Sequence, residues 1–223
     1  MARRRNQRIE WGGPSNWLSI ESKSRLSVTD GCLKVPKMVD AAFKEWSSVV
    51  HALGSGHQIL IFRKGGLDEG PHGFEVRHDR FWLFPTHFHQ QSELIIHQGF
   101  KEIFNCHPPD LESKTPPIRW LCQVTDHHVL KHPAQIKAIK GQHIWKEEVL
   151  LERMAYGSQR KLHALILRVY QLDIAFQLPM NDAYAGCRSW IRLEGAPNAK
   201  TDKPVLSEEA FEGRKRAFIE ALA

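Results

Sequence analysis

The sequence predicts an α+β fold: a mixed, mostly antiparallel sheet or small open β-barrel with flanking helices. Three observations carry this. Residues 39–53 hold apolar side chains at i, i+3, i+4, i+7, i+10, i+11 and i+14, the repeat of an amphipathic helix. Residues 162–172, LHALILRVYQL, are apolar enough for a central strand buried on both faces. The remaining segments give about five or six strands and four helices without the regular alternation a doubly wound sheet needs.

The elements follow in order. Residues 1–36 show little periodicity and are punctuated by Gly12, Gly13, Pro14, Gly31 and Pro36, so they read as a largely irregular basic N-terminal extension. A single core domain is expected over 37–195, and a linker with a C-terminal helix over 196–223. The helix over 39–53 should place Lys44, Glu45, Ser47 and Ser48 mainly toward solvent and stop at Gly54. HQILIFR, residues 57–63, reads as a strand stopped by Gly65-Gly66. Residues 81–84 form a second strand, ended by Pro85, and Gly70, Pro71 and Gly73 make the intervening segment a hairpin-like loop. Residues 91–98 suit a short helix, and 106–117 a Pro-rich connector. Alternation over 118–130 predicts a long strand or bent pair, broken by Pro133. Residues 146–156 suit a helix and 189–193 a short strand. Ser207 can cap a final helix through Leu222, with Glu208 and Glu209 in its first turn.

Composition narrows the class. Apolar content of 42% and charged content of 25% suit a globular protein. No apolar run approaches the ~18 residues of a membrane span, and MARRRNQR lacks the apolar stretch of a secretory signal, so a cytoplasmic protein without a membrane partner is expected. Cys32, Cys106, Cys122 and Cys187 form no Cys-x-x-Cys pair and read as reduced, mostly buried thiols. Of the net charge of +6, Arg3, Arg4, Arg5 and Arg8 supply four, so the basicity is largely a tail. All 13 histidines lie between His51 and His163, which makes the middle of the chain sensitive to mild acid.

The richest segment is IFRKGGLDEGPHGFEVRHDRFWLFPTHFHQ, residues 61–90. Arg63 and Lys64 close a strand before two glycines, where a backbone can approach an anion. Arg77 and His78 follow. His87 and His89, two apart on an extended chain, project to one side, with Gln90 beside them. Farther on, Gly186-Cys187-Arg188-Ser189-Trp190 offers a tight turn, a cation and a stacking ring. Cys187 has no base paired with it in the sequence, so a nucleophilic role has no support. Asp110, Glu112 and Lys114 resemble the carboxylate–lysine set of metal-dependent nucleases. They are contiguous in a Pro-rich connector rather than on separate strands, which speaks against that reading.

The combination of Arg63–Gly66, of Phe84, Pro85, Thr86, His89 and Gln90, and of Gly186, Cys187, Ser189 and Trp190 resembles the bacterial family described as domain of unknown function 1802, over about residues 39–193. That resemblance implies little about activity. At the level of fold, a helix followed by a strand ending in Arg-Lys and then short strands is similar to PUA-like barrels, whose relatives bind RNA or modified bases.

The leading expectation is therefore a nucleic-acid- or nucleotide-binding module without a cofactor. Arg63, Lys64 and Arg77 would contact phosphates. His87, His89 and Gln90 would hydrogen-bond base edges or sugar, Arg188 would pair with an anion and Trp190 would stack. A second expectation is a phosphodiesterase or nuclease holding a divalent metal at His78, Asp79, His87 and His89. A third is a structural scaffold without a ligand. The sequence assigns no catalytic residue.

Overall fold

Long-range strand pairing overrides the local helical repeat at the start of the domain. In a computed structural model, residues 39–64, 74–86, 94–96, 117–157, 159–179, 181–186, 188–196 and 203–223 are described. All fall within one compact unit, Lys37–Ala223. Strand β1 spans Ala41–Trp46 and runs directly into helix α1, Ser47–Gly54. The helix expected over 39–53 is thus half strand. Ala41, Ala42, Phe43 and Glu45 are all buried, because β1 pairs in parallel with β3 (Arg80–Thr86) and antiparallel with β6 (Trp190–Arg192). Burial on both faces erases the alternation that would have marked a strand. Ser47 and Ser48, expected on a solvated face, are buried as well.

The other strands are β2 (Leu60–Arg63), β4 (Pro117–Leu130) and β5 (Leu162–Gln177), and the sheet order is β2-β5-β4-β3-β1-β6. All pairings except β1 with β3 are antiparallel. Of the two forms expected, the open mixed sheet is the one that forms. Strand β5 is buried from Leu162 to Val169 and lies between β2 and β4, as its apolar run predicts. Strand β4 is long and its ladder shifts register between Ile118 and Trp120 and between Val124 and Asp126, which is the bend the sequence suggests.

Three further expectations need correction. Strands β2 and β3 are not hairpin partners, since β2 pairs with β5 and β3 with β4 and β1. Pro85 does not end β3. The ladder with β4 covers only Arg80, Phe81 and Trp82, so the strand beyond is an edge on that side, where proline is tolerated. Of the helix expected over 91–98, residues 94–96 instead pair with 144–146. Ile95 bridges Trp145, and the Ile96 amide donates to the Ile144 carbonyl at 2.7 Å.

Pro133 opens a helix that the sequence reading missed, α2 (Pro133–Ala138), where its lost N–H is an orphan in any case. Helix α3 is Glu147–Ala155, and α4 is Glu208–Leu222 with the Ser207 hydroxyl accepting from the Ala210 amide at 3.2 Å. Alternate strand residues feed two apolar clusters. Phe43, Phe81 and Leu83 enter the larger, together with α1 and α4. Ala42, Trp82 and Phe84 enter the smaller, where the Trp82 indole donates to the Val39 carbonyl at 2.8 Å. Helix α4 seats Phe211 and Phe218 in the larger cluster. Its ion pairs Arg168–Glu208 at 3.0 Å and Lys215–Asp126 at 2.6 Å tie it to β5 and β4.

Candidate functional site

The separate sequence motifs meet on β1. The guanidinium of Arg63, at the end of β2, crosses to β1. There its Nη2 donates to the Lys44 carbonyl and lies 3.4 Å from the buried carboxylate of Glu45, while its centre sits 4.2 Å over the Phe43 ring. Strands β1 and β2 share no ladder. This side-chain bridge is therefore a direct tie between the two. From β3, the Thr86 hydroxyl donates to the Glu45 carbonyl at 3.3 Å. From the third motif, the Lys44 ammonium donates to the carbonyls of Tyr184 and Gly186 at 2.7 and 2.6 Å, and its amide donates to the Ser189 carbonyl at 2.9 Å. Gly186 has φ 79°, a left-handed conformation that disfavours other residues and lets the turn expose its carbonyl. Trp190 then packs edge-on against Phe43, Phe81 and His78, with centroids 4.7, 5.0 and 5.1 Å apart.

Of the three cations expected to meet phosphate, Arg63 and Lys64 direct donors to groups of the fold. Besides Arg63, the Lys64 ammonium donates to three carbonyls, those of Met154, Gln159 and Lys161. Met154 lies in the last turn of α3, where carbonyls have no helical partner, so Lys64 caps that helix. Burial, and then the charge of Lys161, hold its pKa below the usual lysine value.

A third cation belongs to this region. Arg153, on α3, lies 3.9 Å over the Trp145 ring and 5.7 Å from that of Trp46. Burial lowers its pKa, Glu45 opposes the shift, and Arg63 adds to it. One carboxylate thus faces two guanidinium groups. Glu45 also accepts from the Trp46 amide at 2.8 Å, at the entry to α1.

Arg77 and Arg188 behave differently. Both are exposed, and neither makes an ion pair or hydrogen bond among the described residues. His78 is exposed too, and its contact with Trp190 brings residues 74–79 beside residues 188–190. Asp79 is exposed, and its carbonyl accepts from the Val124 amide at 2.8 Å. His87, His89 and Gln90 lie outside the described residues, as do Cys32, Cys106, Cys187 and the Asp110–Lys114 segment. Cys122 is a buried free thiol whose pKa burial raises. Among the described residues no group of three His, Cys, Asp or Glu side chains is arranged to hold a metal. No described helix is long and apolar enough to cross a membrane.

Sequence reasoning missed Lys44, Glu45 and Arg153. The available signal was the Lys44-Glu45 pair beside Trp46, and the helical reading assigned both charged residues to solvent. It also missed the buried imidazoles of His163 and His143, the first in contact with the exposed His127. The His127 Nε2 and His163 Nδ1 atoms are 2.8 Å apart with the rings stacked. His143 sits against Phe62 with neither ring nitrogen in a full hydrogen bond, and burial lowers its pKa to about 4 against a weak opposing pull from the Trp145 backbone.

A family model described as domain of unknown function (DUF1802) matches residues 42–217. No curated protein matches the chain. Among solved structures, ASCH from Zymomonas mobilis is similar at 13% identity with a TM-score of 0.43, over 73% of this chain and 96% of that one. A mutant of the same Zymomonas mobilis protein is similar at 12% identity with a TM-score of 0.40, over 70% of this chain and 91% of that one.

Proposed function

This chain belongs to the DUF1802 family, and we propose that it is a nucleic-acid- or nucleotide-binding module whose ligand lies along the rim made by residues 74–79 and 188–190. One observation carries the reading. Arg77 and Arg188 are exposed cations without partners among the described residues, the first adjoining His78 in the chain and the second two residues before Trp190, and His78 and Trp190 are in contact. Arg63 and Lys64, by contrast, direct donors to Glu45 and to backbone carbonyls. A cation whose donors are free can exchange water for phosphate oxygens without breaking an internal bond. Trp190 is half-buried and held on its edges by Phe43 and Phe81, so it gives His78 a fixed seat. The exposed imidazole can then donate to, or accept from, a base edge or sugar hydroxyl. His87, His89 and Gln90, which follow Thr86 in the chain, keep the base- or sugar-directed role read from their spacing.

The test is a fluorescence-anisotropy titration of the full chain against a short labelled single-stranded RNA at several salt concentrations. Losing two phosphate contacts through Arg77→Ala with Arg188→Ala should weaken binding about tenfold or more and reduce the salt slope by about 1.4. The Arg-rich start contributes equally to both proteins and cancels in the difference. Identical titrations at every salt concentration would refute the assignment.

A further inference from the structure

We infer that Arg63 and Arg153 form a phosphoryl-binding site beside Glu45, distinct from the rim of Arg77 and Arg188 and not dependent on it. A guanidinium carries five N–H donors in one plane. Arg63 uses Nη2 on the Lys44 carbonyl and on Glu45, while its Nε is buried without a hydrogen-bond partner. Arg153 makes no hydrogen bond or ion pair among the described residues. Its centre is 3.9 Å above the Trp145 ring, with Trp46 at 5.7 Å. Stacking occupies the faces of a guanidinium and leaves its donors at the edge, the arrangement in which arginine grips a phosphate through two parallel bonds.

The charge count agrees. Glu45 is the one acidic side chain paired with either arginine among the described residues, so a single negative charge faces two positive ones. Burial and the neighbouring Arg63 both work against the Arg153 charge. A bound dianion would reverse that balance and take the solvent-reachable donors at the ends of the two half-buried arginines. The carboxylate sets the limit on affinity: it holds the two cations together in the free protein and competes with the incoming anion. Removing its charge should therefore tighten phosphate binding, an effect that a purely structural cluster would not show.

The experiment follows thermal unfolding of the full chain in inorganic phosphate, against chloride at matched ionic strength, for the wild type and for Arg153→Gln, Arg153→Lys and Glu45→Gln. The wild type should gain a few degrees in Tm, saturating with a Kd on the order of 1 mM. Arg153→Gln should lose that gain, and Arg153→Lys should recover part of it. If Glu45→Gln folds, it should saturate at roughly tenfold lower phosphate, as expected when a competing charge is removed. A paired titration with 5′-phosphorylated and 5′-hydroxyl oligonucleotides identifies the source of the group. Tighter binding of the phosphorylated strand by the wild type, and not by Arg153→Gln, assigns the site to a strand end. Equal binding of the two strands, with the phosphate response intact, assigns it to a free phosphate or small phosphoester. A wild type whose Tm follows ionic strength alone, or an Arg153→Gln protein that responds to phosphate like the wild type, overturns the inference.

Discussion

Replacing Arg63 by alanine removes a tie between β2 and β1, and its cost can be worked from three contacts. The ion pair with Glu45 spans 3.4 Å, with the glutamate side chain 6% exposed and the arginine 23%. Breaking a fully buried pair costs about 3–5 kcal/mol, because the remaining charge is stranded. Here that is an upper bound, since Arg153 still faces Glu45 and water reaches Arg63. The hydrogen bond to the Lys44 carbonyl adds about 1 kcal/mol. The cation–π contact with Phe43 at 4.2 Å adds about 0.5–1 kcal/mol. These contributions overlap, and a net loss of about 2–3 kcal/mol is expected. Equilibrium urea unfolding followed by tryptophan fluorescence measures it as a fall in midpoint at unchanged slope. Arg63→Lys should recover less than half, because an ammonium cannot hold the carboxylate, the carbonyl and the ring together. A loss below about 0.5 kcal/mol would show that Arg63 does not join the two strands, and the inward-facing role given to it would fail.

Gly54→Ala should destabilise by about 2 kcal/mol despite the better helix propensity of alanine, because a Cβ there would lie 2.2 Å from the ring of Trp120, which is itself buried. Equal or higher stability in urea would mean that the α1–β4 contact is looser than described. His143 has its pKa lowered to about 4 by burial, so the unfolded chain binds the extra proton first as pH falls. Its contribution is complete above pH ~6.5 and is lost on the order of 3 kcal/mol as pH drops toward 4. His143→Gln should flatten that decline in urea unfolding between pH 7 and 4.5, and an unchanged pH dependence would remove His143 as its source. Arg77→Ala with Arg188→Ala should leave stability within about 0.5 kcal/mol, since neither side chain has an internal partner among the described residues. A larger loss would move them from the rim into the fold.

Much of the sheet is legible in the sequence because its signals are local. The apolar run of β5, the alternation of β4 and the Ser207 cap each depend on a few neighbouring residues, and each forms as expected. Strand β1 is not legible in this way. Its residues satisfy a helical repeat, and what makes them a strand is pairing with Trp82–Thr86 and with Trp190–Arg192, far along the chain. The site inherits that difficulty. Arg63 and Trp190 stand out as residue types, but their meeting over Phe43 is a property of the topology. Arg63 and Lys64 read as a cation pair before glycines, while the groups their donors meet are set by the topology. The same side chains can close a sheet or cap a helix, and only their partners distinguish the two. Arg153 was invisible because it is an ordinary helical arginine until α3 places it over Trp145.

The most direct test is where a nucleic acid touches the chain. Ultraviolet cross-linking of a labelled single strand to the full protein, followed by peptide mapping, reads this without mutation. Adducts on peptides carrying His78 and Trp190 are predicted, and they should diminish in the Arg77→Ala, Arg188→Ala protein. Adducts confined to residues 1–38, or none under conditions where the strand binds, would contradict the account and leave the converged motifs a structural assembly.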